Sequence, residues 1–370
     1  MELLRNLLRP AARRSTKTDL FGNLLEILCV EQEALPAGLR SPKWTEGYVR
    51  VEIRRNPLDP SRIAHIAPHR GVRRGLNPDR FQGKAMQCKC ACPFEIDKLL
   101  RREKTRFRIV PGQELSLADD LGAYRSFNAL CTTVMGNANP AAPHQFMIIS
   151  TLDHHKPLHK RPLAEVVDLL RVLGVMTQRA EGSGAKGIEI VKNRGPFAGS
   201  TVTHPHWQAL ILSEGRPKPR SRGISMLDLV RKESKCGKRV FARRKTTISQ
   251  VVGWRSYAGF ESNIAVIRKR ACPSAMWISG LTDAECEAIA EVLRQVTRHY
   301  AKRGIEDYNI IVRQPEFASG RRKAPDEVLS IETIPRGPGY QPAGFELASD
   351  HRVVFVSESP EDEAKEMRKG

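Results

Sequence analysis

From about residue 48 the chain sets short runs of apolar and polar residues between stretches of turn-forming text. YVRVEI (48–53), RIAHIA (62–67), TRFRIV (105–110) and HQFMIIS (144–150) are each bounded by Pro, Gly or charged residues, a pattern that predicts strands. The period then lengthens. Leu163, Val166, Val167, Leu170 and Leu173 recur three and four apart, which keeps one helical face apolar, and Pro162 suits a first helical position. GIEIVKN (187–193) and HWQALILS (206–213) return to the strand pattern.

Residues 214–245, which include EGRPKPRSRG and KESKCGKRVFARRK, are rich in Lys, Arg, Pro and Gly, have little periodicity and read as a connection. Beyond them the earlier plan recurs: ESNIAVIRK as strand, a helix from Thr282, then YNIIVRQ, VLSIETI and RVVFVS as strands. Thr282 and Glu285 have capping-box spacing, and Ala284, Ala288, Val292 and Val296 mark one face of the helix. Segments 144–213 and 261–334 share the order strand, loop, helix, strand, loop, strand, which points to an internal duplication. The expected fold is α+β, with two tandem halves, each an antiparallel sheet with a packed helix. The expected organisation is an N-terminal extension (1–44), a first half (45–213), a basic connection (214–245) and a second half (246–370). In the extension, Leu3, Leu4, Leu7 and Leu8 stand at helical spacing within an Arg-rich, acid-poor run of residues 1–18, which predicts an N-terminal helix.

The 370 residues suffice for one large or two ordinary domains, and 40% apolar with 28% charged residues is a globular balance. No apolar run approaches the ~20 residues needed to span a bilayer, and no signal-peptide core precedes a cleavage site, so a cytoplasmic protein with no membrane partner is expected. The 61 Lys and Arg against 41 Asp and Glu give a net charge of +20, which attracts polyanions or small phosphorylated substrates. Aromatic residues are only 6%, too few for the stacking platforms of single-strand binders, which makes nucleic acid an unfavoured partner. Cys29, Cys131, Cys236, Cys272 and Cys286 are scattered and read as reduced thiols, whereas Cys88, Cys90 and Cys92 cluster, which suggests metal before disulfide.

The chemistry concentrates in HPHWQ. His204, His206 and Gln208 are two apart, so a strand would present them on one face and send Trp207 to the opposite face to fill core. A neutral imidazole nitrogen can attack an α-phosphorus and form a covalent intermediate that a second substrate discharges. It must be unprotonated, so the other ring nitrogen has to donate to an acceptor, commonly a backbone carbonyl. Gln208 can donate its NH2 to a phosphate oxygen as charge shifts in the transition state.

The run from Asn193 to Gln208, NRGPFAGSTVTHPHWQ, resembles the signature of galactose-1-phosphate uridylyltransferases, the branch of the histidine-triad superfamily whose subunit holds two related halves. RRNPLDPSRIAHIAPHRGVRRG (54–75), CPFE (92–95), TLDHHKPL (151–158) and IETIPRGPGYQPAGFE followed by SPEDEAKEMRK are similar to further family motifs in the same order. The resemblance implies two histidine-triad-like halves, the second degenerate, with His206 as nucleophile and Gln208 as its phosphate-binding helper. It implies phosphate contacts from Asn193, from Thr201 in place of the usual Ser, and from the forks of Arg70 and Arg73. Glu346 in AGFE matches a carboxylate that receives sugar hydroxyls, although Tyr340 and Gln341 stand where relatives often have Lys and Phe.

The resemblance also implies a structural zinc (Zn2+) held by Cys92, Glu95, His154 and His204. Glu95 replaces a cysteine, so Cys90 could instead supply a thiolate, and Cys-Glu-His-His and Cys-Cys-His-His shells both remain open. Val328 and Ser330 stand where relatives carry the His-x-His of a second metal site, so that site is expected to be absent. The implied activity is transfer of a nucleoside monophosphate from a nucleotide sugar or other nucleoside diphosphate derivative to a phosphorylated acceptor such as a sugar phosphate. The alternative is a phosphorylase that discharges the same intermediate with inorganic phosphate, using a nucleotide sugar or dinucleoside polyphosphate. A homodimer is compatible with the resemblance. A nucleic-acid-binding protein of the same fold fits the charge, but the complete set of Asn193, His204, His206 and Gln208 argues for chemistry.

Overall fold

The computed structural model of the chain describes residues 12–18, 24–31, 48–55, 63–66, 114–116, 126–128, 132–136, 145–151, 153, 156–182, 185–200, 204–212, 232, 237–257, 259–268, 277–317, 329–337, 353–356 and 359–369. Near the N-terminus β1 (Ala12–Thr18), β2 (Leu24–Glu31), β3 (Tyr48–Arg55) and β4 (Ile63–Ile66) pair in sequence, each antiparallel to the next. Ala12–Thr18 is therefore a strand and not the end of the expected N-terminal helix; Leu3, Leu4, Leu7 and Leu8 lie outside the described residues. The reason is tertiary. ARRSTKT has no apolar face of its own, and its ladder with LLEILCVE, from Ala12 opposite Val30 to Thr18 opposite Leu24, decides its conformation. A short antiparallel pair follows, β5 (Glu114–Ser116) with β6 (Ser126–Asn128). The expected strand TRFRIV at 105–110 lies outside the described residues.

The site is carried by a second, nine-stranded sheet. Its strands are β7 (Thr133–Gly136), β8 (Gln145–Ile149), β9 (Gly187–Arg194), β10 (His206–Leu212), β11 (Val240–Lys245), β12 (Ser249–Arg255), β13 (Ser262–Arg268), β14 (Tyr308–Arg313) and β15 (Ser330–Pro335). Their order is β11-β12-β13-β15-β14-β9-β10-β8-β7, antiparallel throughout. This corrects the expectation of a separate sheet in each half. β9 and β14 pair with Asn193 opposite Asn309 and Val191 opposite Ile311, so one continuous sheet results. Left apart, both would be edge strands with unsatisfied backbone groups, and pairing them removes two edges at once. Outward from this seam the order is β9, β10, β8 on one side and β14, β15, β13 on the other. β16 (Val353–Val356) joins the N-terminal sheet in parallel with β4.

One face of the nine-stranded sheet is apolar and is covered by two helices, α1 (Leu163–Gly182) and α2 (Asp283–Lys302). Phe146, Ile148, Ile188, Ile190, Trp207, Ala209, Ile211, Ile310, Val312 and Ile331 meet Val166, Leu169, Leu170, Leu173, Ile289, Val292, Leu293 and Val296 in a single core. Trp207 is fully buried there, as period-two alternation requires. The α2 N-terminus carries the anticipated capping box: the Thr282 hydroxyl accepts from the Glu285 N–H, and the Glu285 carboxylate accepts from the Thr282 N–H at 2.9 Å. Of the face marked by its alanines and valines, Ala288, Val292 and Val296 are buried and Ala284 is exposed.

A terminal helix, α3 (Pro360–Lys369), inserts Ala364 and Met367 into the same core. It is tied down by ion pairs from Arg54 and Arg239 to Glu361, at 3.1 and 2.9 Å, and from Arg255 and Arg303 to Glu363. Arg54 and Arg239 also lie over the Tyr257 ring, 4.7 and 4.8 Å from its centroid. Because Arg54 belongs to β3, this cluster joins the N-terminal sheet to the second half. Among the described residues no helix is long and apolar enough to cross a membrane.

Candidate active site

The opposite face of the sheet carries the polar set. In β10 the buried positions Trp207, Ala209 and Ile211 alternate with Gln208, Leu210 and Leu212, which are half-buried, and His206 shares the face of Gln208. Gln208 pairs with Val191, and Asn193, two residues on from Val191, shares that face and stands level with His206. Asn309 faces Asn193 across the seam. His206, Gln208, Asn193 and Asn309 therefore line one surface, drawn from three adjacent strands.

His204 differs from the expectation in one respect. The strand begins at His206, so His204 lies in a bend before it, with Pro205 between. It is held from the end of β8: the His204 Nε2–H donates to the Thr151 carbonyl at 2.8 Å, and the Ser150 N–H donates to the Pro205 carbonyl at 3.3 Å. Arg161, fully buried, donates Nη1 to the Ser150 carbonyl and hydroxyl, both at 2.9 Å.

The His206 Nδ1 lies 2.8 Å from the His204 carbonyl oxygen. A carbonyl can only accept, so Nδ1 carries the proton and Nε2 the lone pair. The ring is 4% exposed. Burial lowers its pKa first, the bond to the His204 carbonyl raises it in part, the charge of Lys192 lowers it, and the result is about 4. At neutral pH the imidazole is uncharged and its tautomer is set.

Lys192 was not singled out from the sequence. It follows Ile188 and Ile190 on the core-facing positions of β9, is 2% exposed, and donates Nζ to the His206 carbonyl at 3.3 Å. Its ammonium lies 5.8 Å from the centroid of the Trp207 ring. Burial, then Arg161 and Arg194, push its pKa well below the usual lysine value. The available signal was a lysine in the inward register of GIEIVKN.

Between β9 and β10 the chain turns through Gly195 and Gly199, at φ 79° and 80°, with a 3-10 turn over Pro196–Ala198. A Cβ at Gly195 would stand 1.9 Å from Asp307 Oδ1, so the close approach as well as the φ calls for glycine. Asp307 Oδ2 accepts the Phe197 N–H at 2.7 Å, and Asn309 Nδ2 donates to the Ala198 carbonyl at 3.0 Å and to Asn193 Oδ1 at 2.7 Å. The loop that leads to the histidines is thus held by residues of the second half.

Of the other residues implicated by the sequence, Arg70, Arg73, Cys90, Cys92, Glu95, His154, Thr201 and Glu346 lie outside the described residues. Ser330 is on β15 and fully buried. Among the described residues no group of three or more His, Cys, Asp or Glu side chains is placed to hold a metal ion. Cys286 is a free, buried thiol whose pKa burial pushes up to about 12, which suits the reading of an unreactive core cysteine.

No protein-family model matches the chain, and no curated protein matches it. Solved structures do. A GalT-like protein from Arabidopsis thaliana superposes with a TM-score of 0.59 at 20% identity, over 86% of this chain and 98% of that one. An ADP-glucose phosphorylase from Arabidopsis thaliana, solved with bound ADP-glucose, gives a TM-score of 0.60 at 19% identity, over 86% and 99%. A uridylyltransferase mutant gives 0.50 at 19% identity, over 70% of this chain and 98% of that one. At these identities the likeness establishes the fold: this chain has the α+β fold of those proteins, with helices packed on an antiparallel sheet.

Proposed function

We propose that the chain is a nucleotidyltransferase of the galactose-1-phosphate uridylyltransferase type, acting through a covalent His206–nucleotide intermediate. One observation carries the reading: a buried, neutral imidazole whose Nδ1–H is anchored on the His204 carbonyl, which leaves the lone pair on Nε2. In the first half-reaction Nε2 attacks the α-phosphorus of a nucleotide sugar, the P–N bond forms, and the bond to the bridging oxygen breaks to release the sugar phosphate. In the second, a phosphate oxygen of the acceptor attacks, the P–N bond breaks, and the neutral imidazole returns. Gln208, Asn193, Thr201, Arg70 and Arg73 hold the phosphate oxygens.

The proposal includes the duplication. α1 and α2 each have 20 residues, and the residues that open them, Leu163 and Asp283, stand 120 apart in sequence. Thr177 and Thr297, at the same interval, donate to the Leu173 and Leu293 carbonyls, each at 2.9 Å. The first half keeps the nucleophile. The second has Ser330 and Glu332 on β15 and supports the first.

A structural zinc belongs to the same reading, on Cys92, His154, His204 and either Glu95 or Cys90. His204 fits: its Nε2–H is tied to the Thr151 carbonyl, so Nδ1 holds the lone pair, and metal-bound histidines are commonly anchored in this way through the other nitrogen. Such a zinc would be structural, held by side chains alone, and would take no part in transfer. Elemental analysis of protein purified without chelator is expected to give about one zinc per chain, as four-coordinate closure requires. Zinc-free protein of full activity would remove the site and leave the nucleophile.

The likeness to an ADP-glucose phosphorylase favours a second reading, in which inorganic phosphate discharges the intermediate. Glu346 separates the two. If a hexose 1-phosphate is the acceptor, Glu346→Gln weakens a charge-assisted bond to a sugar hydroxyl and slows discharge about 10- to 100-fold without slowing formation. Single-turnover discharge of nucleotidylated enzyme, with hexose 1-phosphates against phosphate, reads the difference. Equal rates in both proteins with every sugar would eliminate the transferase and leave the phosphorylase.

A further inference from the structure

We infer that Asn309 of the second half is a positioning residue for nucleotidyl transfer: with Arg336 behind it, it fixes which end of the Asn193 amide faces the phosphates. The inference rests on the nucleotidyl-transfer reading and adds a task for the half that carries no nucleophile.

The Arg336 guanidinium can only donate. Its Nε–H donates to Asn309 Oδ1 at 2.6 Å, so that atom is the carbonyl oxygen and the other terminal atom of Asn309 is the amide nitrogen. Asn309 Nδ2 spends one hydrogen on the Ala198 carbonyl at 3.0 Å and the other on Asn193 Oδ1 at 2.7 Å. Both ends of Asn309 are thereby committed. The Asn193 oxygen is committed in turn, so its NH2 points the other way, toward the loop: a Cβ built on Gly199 would lie 4.0 Å from Asn193 Nδ2. An asparagine held in this sense presents donors to a phosphate, and flipped it would present an oxygen and repel one.

The rest of the contact fits the same purpose. The backbone N–H of Arg336 donates to the Asp307 carbonyl at 2.8 Å, and the Asp307 carboxylate holds the Phe197 N–H, so the two ends of the second-half hairpin grip the glycine loop at neighbouring points. Burial lowers the pKa of the Arg336 guanidinium, with Glu261 and Glu332 acting to raise it, and the group still donates at neutral pH. Orientation carried by a chain of fixed donors costs no reorganisation at the moment of reaction.

Asn309→Asp tests the inference because it keeps an acceptor for Arg336 and removes both donors. The Asn193 amide then turns its NH2 toward the new carboxylate and its oxygen toward the phosphates. The expected result is a folded protein whose melting temperature falls because the Ala198 carbonyl loses its donor, with a loss of about 10- to 100-fold in the single-turnover rate of His206 nucleotidylation at saturating nucleotide sugar. A double-mutant cycle with Asn193→Ala supplies the readout that a merely structural role would not move: once Asn193 has no amide, Asn309→Asp should cost little more. Arg336→Met, which frees the Asn309 amide to turn over, is expected to give a smaller loss that is likewise absent in the Asn193→Ala background. It serves in the same cycle if Asn309→Asp fails to fold. A wild-type rate in Asn309→Asp, or losses that add fully to those of Asn193→Ala, would overturn the inference. Failure of the wild-type chain to nucleotidylate His206 would instead overturn the reading on which it rests.

Discussion

His206→Ala is expected to lose formation of the nucleotidyl intermediate, by about 10⁴-fold or more, the scale on which removal of a covalent nucleophile is felt. The fold should survive. The substitution removes a ring that is 4% exposed and leaves the His204 carbonyl without its N–H donor, a combined cost of about 1–3 kcal/mol. The pH dependence gives a second handle on the same residue. With the imidazole pKa at about 4, the acid limb of nucleotidylation due to His206 should fall near pH 4 and not near 6.5. The linkage has a definite sign. His206 binds its proton more weakly folded than unfolded, so its contribution to stability is fully present above about pH 6.5 and is lost as pH falls toward 4. Urea unfolding across that window should therefore show a steeper loss in the wild type than in His206→Ala. Equal slopes, or an acid limb near 6.5, would mean that the ring is solvated and lacks the tautomer proposed for attack.

The largest stability effect is expected at Glu363→Ala. Glu363 is 3% exposed on α3 and faces Arg255, which is fully buried, with Arg303 at 3.1 Å and His299 Nε2 at 3.9 Å. Removing the carboxylate strands the Arg255 charge in the interior, at a cost of about 3–5 kcal/mol for breaking one side of a buried pair. Glu363→Gln keeps the shape and an acceptor, and should cost less. Burial alone would raise the Glu363 pKa, but Arg255, His299 and Arg303 outweigh it and hold the carboxyl below its usual value. The stabilisation is thus present above the ordinary carboxylate range and is lost as pH falls through the depressed folded value. Chemical denaturation at neutral pH checks the magnitude, and a midpoint unchanged from wild type would show that α3 contributes little to the cooperative unit.

What could be read before folding divides along physical lines. The strands at 145–149, 187–194, 206–212, 262–268 and 308–313 and the helix behind the Thr282 capping box were legible because their period or cap is local and one of their faces is buried. β1 and β11 were not. Arg13, Arg14 and Lys17 put charge through β1, and in β11 the buried Val240, Phe241 and Ala242 are too short an apolar run to stand out before Arg243, Arg244 and Lys245, so pairing with β2 and β12 and burial against the core make them visible only in the fold. The fusion of two sheets into one depends on the ladder between β9 and β14, in which Asn193 stands opposite Asn309, 116 residues away in sequence and beyond any local window. At the site, the alternation of His206, Trp207 and Gln208 was readable from the two-residue period. Lys192, Asn309 and Arg336 were hidden because their roles arise from neighbours on other strands.

Nucleotidyl transfer by this chain requires that His206 carry the nucleotide. The direct measurement is the mass of the protein, and of its His206 peptide, after incubation with a panel of nucleotide sugars and dinucleotides and rapid quenching at alkaline pH. The predicted result is an increment of one nucleoside monophosphate on His206, absent in His206→Ala and discharged by a sugar phosphate or by phosphate. Turnover of any of these donors at the wild-type rate in His206→Ala, or an increment confined to another residue, would contradict it.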